Sequence, residues 1–401
     1  MNNILIWKNK CWESRGSNLG DLCIIHATIN CIRNHIPEAN ILLLSDNPEY
    51  TDNIYGIKSL RFSLFNIIKS VKKSDIIILG GGTVFTDVSS IFIIPINLLV
   101  PLLGVLFRKK IVAWGIGSGK KSVIGRLLVR MLLPYFRYIS VRDFESKKDL
   151  VNIWNDASSK ICVTEDMAFA LDTTTNYEKE NYIIIAPRRI FHYKNSFLPF
   201  YIRKKLNILP FGYYEKMDFL KSTLAQIADF FIDKYSFKVV LLPMYSAIGD
   251  SSGITNYFKK KFSSRDDQVC YDIMRKMNNH DKVKIFLSDQ PRDVLDLIGK
   301  SRLLIGVPLH SLILAHVVGV PFVGLSYQEK VSRFMHRSQM DSYMISLENM
   351  DSNIDFDEFR EKSEACLNES STIVSMLYAN NALIREIVES PVFEVKNLLH
   401  Y

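Results

Sequence analysis

The 401-residue chain is 48% hydrophobic and 23% charged, enough apolar sequence for two or three domain cores and no compositional support for disorder. Its 50 Lys and Arg exceed its 42 Asp and Glu, and the net charge of +8 suits anionic partners: phosphates, carboxylates, acidic glycans or an anionic membrane face. Cys11, Cys23, Cys31, Cys162, Cys270 and Cys366 form no C-x-x-C pair, which argues against a disulfide framework or zinc site and for a reducing, cytoplasmic setting.

The amino terminus, MNNILIWKNK, lacks the long apolar core of a secretory signal, and NNILIWKN reads as a first strand. SNLGDLCIIHATINCIRNHI follows as loop and helix, and ANILLLSDN as the next strand. DIIILGGG, KKIVAWGIGSG and YISVRD are further buried strands, each ending in a glycine-rich or charged turn. Between them, residues 91–107 (IFIIPINLLVPLLGVLF) are almost wholly apolar and precede Arg108, Lys109 and Lys110. At about 17 residues, interrupted by Pro95, Pro101 and Gly104, the segment is at the short limit for a membrane span. It reads as a buried helix between two strands, with shallow contact to a membrane face as the alternative.

The pattern restarts after the polar linker LDTTTNYEKENY. YIIIAPRR, FKVVLLPMY, KVKIFLS, RLLIGV and VPFVGLSY are strands, separated by helical segments and one polar insertion. Uniformly apolar runs alternating with helices imply parallel strands with helical crossovers, hence an α/β fold. Two α/β domains are expected, 1–174 and 181–345, followed by a helical tail, 346–401, packing back on the first. In such sheets ligands bind beyond the carboxyl ends of the strands, so the residues just after each apolar run carry the functional information.

After the first strand come Asn18, Gly20 and Asp21 at a helix start, where Asp21 either caps the helix or works as a base. Gly81, Gly82 and Asp87 follow DIIIL; three consecutive glycines permit close approach to a ligand, and a helix start beyond them would attract anions, although the spacing is neither that of a P-loop nor of a dinucleotide fingerprint. Gly117 belongs to a further glycine-rich turn with Lys120 and Lys121 nearby. Arg142, Arg188 and Arg189 stand just past strands, placed either to grip phosphate or carboxylate or to pair with local acids. Asp250 lies on a loop after FKVVLLPMY, available as a base or hydroxyl ligand. His310 falls at a helix start beyond RLLIGV, and Lys330 follows the next strand. His316 is six residues from His310, so the two do not share a helical face and a zinc pair is not expected.

Taken in order, these pieces resemble the polysaccharide pyruvyl transferase family. The matching stretches are Asn18-Leu19-Gly20-Asp21, Leu79-Gly80-Gly81-Gly82 with Asp87, Gly115-Ile116-Gly117, residues 140–146 (SVRDFES), Asp166 with Phe169, Pro187-Arg188, Pro243 with Asp250, residues 309–315 (LHSLILA), Gly319-Val320-Pro321, and Tyr327 with Lys330. The resemblance implies two Rossmann-like domains facing a cleft, as in GT-B glycosyltransferases, and transfer of a pyruvyl group from phosphoenolpyruvate to a glycan or lipid-linked oligosaccharide acceptor, without metal or other cofactor. It also implies that Arg142, His310 and Lys330 contact phosphoenolpyruvate. The chain departs from the family pattern at Pro308, where an Arg is usual; Arg302, Arg188 and Arg189 are candidate replacements.

Phosphoenolpyruvate carries about three negative charges, so its site needs several fixed cations, and Arg142, Lys330 and one of Arg188 or Arg189 can supply them. His310 suits proton transfer to the methylene carbon, and Asp250 or Asp21 suits removal of the sugar's proton. Two alternatives stand beside this reading: a GT-B glycosyltransferase using a nucleotide sugar, and a glycan-binding member without turnover. The first expects acidic residues after the last strands, where SYQEKVSRFMHRS holds Glu329 as its one acid. Nucleic acid is not an expected partner, since no basic run carries interleaved aromatics. A homo-oligomer and peripheral contact with the cytoplasmic membrane face are compatible with the sequence.

Overall fold

The computed structural model describes residues 2–7, 18–88, 90–174, 177–191, 200–246, 265–347 and 354–400. Two parallel sheets carry the fold. The first contains β1 (Asn3–Trp7), β2 (Asn40–Leu42), β5 (Ile76–Leu79), β6 (Gly82–Phe85), β7 (Lys110–Ser118), β8 (Phe136–Val141) and β9 (Ile161–Val163). Its order is β2-β1-β5-β7-β8-β9, with β6 also pairing β7; β3 (Leu44–Ser45) and β4 (Leu60–Arg61) form a separate parallel pair. The second sheet contains β10 (Tyr182–Ala186), β11 (Lys238–Leu241), β12 (Val283–Ile285), β13 (Leu304–Gly306), β14 (Phe322–Ser326) and β15 (Met344–Ser346), in the order β12-β11-β10-β13-β14-β15.

The central strands are apolar on both faces because helices cover both. Ile76–Leu79 and Tyr182–Ala186 are buried at every position. The strand order reverses beside β1 in the first sheet and beside β10 in the second, opening a crevice beyond the carboxyl ends at each switch point. In the second sheet that crevice is bounded by the residues after Ala186 and after Gly306, which include Arg188 and His310.

The two halves meet at the amino end of the helix Leu19–His35. Leu19 N–H donates to Met244 O at 2.9 Å, just beyond β11, and Asn18 bridges Tyr245. The tail forms three helices, Phe356–Asn368, Ser370–Glu389 and Pro391–His400. The first packs on the second half, where Glu364 meets Tyr235 and Lys234 and Cys366 Sγ lies 3.6 Å from Phe322 O. The last two reach the first half: Trp114 Nε1 donates to Val388 O at 3.4 Å, Lys110 Nζ to Leu398 O at 2.6 Å, and Arg385 to Asp172 at 2.7 Å.

Two glycine-rich segments differ from the sequence expectation. Gly80-Gly81-Gly82 leads into the short strand β6 rather than a helix start, because Gly82 turns the chain at φ 96° and Thr83, Val84 and Phe85 suit a strand. Gly115-Ile116-Gly117 is no turn after β7 but its continuation, with Gly115 at φ 61° in a register irregularity. Residues 91–107 do form a helix, Ile93–Leu106, but Phe92, Leu99, Leu102 and Leu106 remain exposed, so its burial is one-sided. No helix among the described residues is long and apolar enough to cross a membrane.

Candidate active site in the cleft between the sheets

Asp166 joins the two halves of the site. It follows β9 and caps the 3-10 turn Met167–Ala170, its Oδ1 accepting from Ala168 N–H at 3.1 Å. Its Oδ2 accepts from Arg142 Nη1 at 3.0 Å and stands 3.5 Å from His310 Nε2. Burial opposes ionisation of Asp166, but His310, Arg142 and the Ala168 N–H outweigh it and hold the carboxyl well below the usual carboxylate range. The carboxylate is therefore a fixed anion between an arginine from the first half and a histidine from the second.

Arg142 is buried at the carboxyl end of β8. Its backbone N–H donates to Ile116 O, and its Nη2 to Thr83 Oγ1 at 2.7 Å. Gly117 is what lets it lie there: a Cβ at that position would meet the guanidinium at 3.0–3.2 Å. Asp143, the local acid expected as a partner for Arg142, caps the helix Phe144–Ile153 through Ser146 N–H and lies 3.8 Å from Arg142 Nε.

His310 occupies the first turn of the helix Leu309–Val317. Its ring lies against Gly20 so closely that a Cβ there would come within 2.3 Å of Cγ and Nδ1. Its Nε2 is buried and faces Asp166 Oδ2 at 3.5 Å, with no closer hydrogen-bond partner among the described residues. Pro308, at the N-cap, provides no side-chain cap for the helix; its carbonyl accepts from Ser311 N–H and Oγ. Gly20 is placed by Asn18, whose Oδ1 accepts from Gly20 N–H at 3.2 Å and whose Nδ2 donates to Asp21 at 2.9 Å. Asp21 is thereby part of the capping arrangement beside His310. His316, in contrast, is a packed residue: burial pushes its pKa down to about 4, and it contacts Ser338 and Phe169.

Lys330 lines the same cleft as Arg142 and Asp166 and reaches over the Tyr327 ring at 5.8 Å. Arg333 and Arg337 also line it. Arg337 was not anticipated from sequence: its Nη1 donates to Arg142 O at 3.0 Å and to Glu165 at 2.8 Å, tying the helix Glu329–Arg337 to the first half. Burial pushes Glu165 up to about 7, with Arg337 opposing. Arg302 cannot replace the arginine missing at Pro308, for its N–H donates to Tyr182 O at the amino end of β10, the far end of the sheet.

Arg188 and Arg189 border an adjoining group rather than the Arg142–Asp166–His310 line. Asp266 is fully enclosed there, with Oδ1 3.4 Å from Arg189 N–H and Oδ2 without a partner. Burial pushes Asp266 up to about 7 against the attraction of Arg188. Arg189 Nη2 reaches Gln268 at 3.1 Å. Gly81 lies behind the site, where a Cβ would meet Gly115 O at 3.0 Å. Asp87 faces elsewhere, accepting from Ser122 N–H at 2.8 Å and Oγ at 2.5 Å at the start of the helix Val123–Leu132. Asp250 lies outside the described residues.

Asp166, Glu165, Arg337 and Asp266 were thus not singled out by local pattern. Asp166 entered only through the family pattern, with Phe169; the local signal was the adjacent acid pair Glu165-Asp166 just past a strand.

The fold is shared by nucleotide-sugar enzymes. A candidate UDP-N-acetylglucosamine 2-epimerase from Listeria monocytogenes superposes with TM-score 0.61 at 12% identity, covering 98% of this chain and 94% of that one. The UDP-GlcNAc 2-epimerase from Neisseria meningitidis, bound to UDP-GlcNAc, gives 0.58 at 12% with both chains fully covered. A glycosyltransferase from Rickettsia africae gives 0.53 at 12%, covering 99% and 98%. At such identities the likeness establishes the GT-B architecture of two Rossmann-like domains and nothing about substrate. No curated protein matches by sequence. The family model for polysaccharide pyruvyl transferase matches residues 18–329, most of the chain and every described residue of the Arg142–Asp166–His310 line, and the chain belongs to that family.

Proposed function

We propose that the protein transfers a pyruvyl group from phosphoenolpyruvate to two hydroxyls of a cell-surface polysaccharide or its lipid-linked precursor, forming a ketal and releasing phosphate. The observation that carries this reading is the Arg142–Asp166–His310 line: a buried, fixed cation and a histidine whose Nε2 faces the same ionised carboxylate, joined by it across the cleft. Arg142, Lys330 and the neighbouring Arg333 and Arg337 provide positive charge for a ligand bearing phosphate and carboxylate.

In the proposed reaction protonated His310 gives its proton to the methylene carbon, and C2 becomes electrophilic. One sugar hydroxyl adds to C2 and loses its proton; phosphate departs; the second hydroxyl adds and loses its proton. The methylene gains one proton, the two hydroxyls release two, and the balance returns to the histidine and to phosphate. Asp166 acts as a positioning residue, holding Arg142 and standing beside the imidazole.

Two measurements test this. Phosphoenolpyruvate raises the melting temperature of the wild type and not of Arg142→Ala. His310→Ala retains that shift but releases no phosphate in the presence of acceptor. A shift with UDP-GlcNAc and none with phosphoenolpyruvate would move the assignment to a nucleotide-sugar enzyme.

A further inference from the structure

The positive charge of this chain is not spread over it. Residues 53–142 hold 14 Lys or Arg and two acids, Asp75 and Asp87, a net +12; the whole chain is +8, so the remaining residues are net −4. Among the described residues, the same segment carries about half of the exposed large hydrophobic side chains. On the helix Ile93–Leu106 the outward positions, Phe92, Leu99, Leu102 and Leu106, recur at helical spacing and are all apolar, the reverse of an ordinary surface helix. On the helix Val123–Leu132, Val123 (86% exposed), Ile124, Leu127 and Met131 point outward, and Arg126 and Arg130 are interleaved with them.

These two stripes form one face. The helices pack together at their first turns: a Cβ on Gly125 would come within 2.7 Å of Ile94 Cδ1, so only glycine allows the approach. At the other end of the first helix, Lys72 lies over the Phe107 ring at 5.1 Å and Lys109 Nζ donates to Lys72 O. The helix Val123–Leu132 begins five residues after the end of β7, on the carboxyl edge of the sheet where Arg142 sits.

We infer that this face is a docking surface for an anionic lipid bilayer, lying in the interface with the apolar stripes in the acyl boundary and the arginines and lysines at the headgroups. An apolar stripe bordered by cations, with Asp87 buried against Ser122 and Asp149 paired with Lys121, has the chemistry of an interfacial helix, and anionic lipid headgroups supply the complementary charge. A soluble protein partner or a second copy would match the leucines but would leave the one-signed field uncompensated unless that surface were itself acidic; a second copy of the same basic face would repel. The inference is independent of the donor substrate.

The test is vesicle flotation with the full chain. The wild type is expected to float with phosphatidylcholine–phosphatidylglycerol vesicles, to float at least tenfold less with phosphatidylcholine alone, and to be released as salt is raised. The double variants Leu102→Asp/Leu127→Asp and Arg126→Glu/Arg130→Glu change exposed positions and are expected to retain the wild-type thermal melt and phosphoenolpyruvate shift while losing at least tenfold in flotation. A wild type that stays with the soluble fraction in anionic vesicles, or variants that float as the wild type does, would overturn the inference. So would a wild-type dimer in sedimentation that Leu102→Asp/Leu127→Asp dissolves, since the face would then be occupied by a second copy.

Discussion

Replacing Gly20 by Ala tests the site with a single methyl group. In the folded protein that carbon would lie 2.3 Å from His310 Cγ and Nδ1 and 2.7 Å from Cβ, against about 3.4 Å for ordinary contact. Relieving it moves the imidazole, or the two helix starts, by about 1 Å. Displacements of that size in a reacting group cost roughly 100-fold in rate, about 2.7 kcal/mol of barrier. The stability effect is smaller: overpacking costs about 1–3 kcal/mol, partly offset by up to about 1 kcal/mol from alanine's better helix propensity. The expectation is a kcat near one hundredth of wild type, a Tm lowered by a few degrees, and a phosphoenolpyruvate shift still present because Arg142 is untouched. Phosphate release measured alongside a thermal melt reads both. A Gly20→Ala enzyme that turns over at the wild-type rate would refute the placement of His310 against this helix, or its part in the reaction.

Three further outcomes follow from the charges in the cleft. Asp166→Asn leaves Arg142 buried without its anion and is expected to destabilise by about 3–5 kcal/mol, read by denaturant melts. Because the folded pKa of Asp166 is depressed, its stabilisation is present above the unfolded value near 3.8 and is lost as pH falls below it, so the difference between variant and wild type narrows below about pH 4. Asp266 has the opposite sign: raised to about 7, it favours the fold while protonated, fully below about pH 4, and that contribution is lost as pH rises through 7. Asp266→Asn should therefore melt above wild type at pH 8 and close to it at pH 4; equal melts at both would contradict the dominance of burial at this carboxyl. Arg142→Lys keeps the charge but not the fork between Thr83 and Asp166. It is expected to lose the phosphoenolpyruvate shift and at least tenfold in kcat/KM, and a variant with both intact would show that charge alone suffices.

Both sheets were legible because their central strands are unbroken apolar runs. Residues such as Ile76–Leu79 and Tyr182–Ala186 can lie only between two helical layers, and the polar interval before Tyr182 marks where one sheet ends and another begins. His310 and Arg142 were legible for a related reason: each stands at the carboxyl end of such a run. Asp166 was harder to see. It follows a three-residue edge strand, and its importance comes from contacts with Arg142 and His310, which belong to different halves. Arg337 sits late on a helix whose alignment with Glu165 exists only once the halves are packed. Asp87 shows the converse. A strand-end acid after three glycines suggests a ligand, yet its carboxylate accepts from Ser122, the N-cap of the helix that begins at Val123, a partner 35 residues away that no local pattern reveals. The helix Ile93–Leu106 was readable as apolar, but hydrophobicity along a sequence does not say which face the sheet covers. That depended on Gly104 and Gly125 bringing one side against Ile77 and the neighbouring helix and leaving the other outside.

Incubation of the protein with phosphoenolpyruvate and a panel of lipid-linked and synthetic sugars tests the central claim most directly, with free phosphate and acceptor mass followed together. The account predicts one phosphate released per acceptor modified, and an acceptor heavier by one pyruvate less one water. Full occupancy by phosphoenolpyruvate without phosphate release from any acceptor, or an acceptor that gains a hexose from a nucleotide sugar instead, would contradict it.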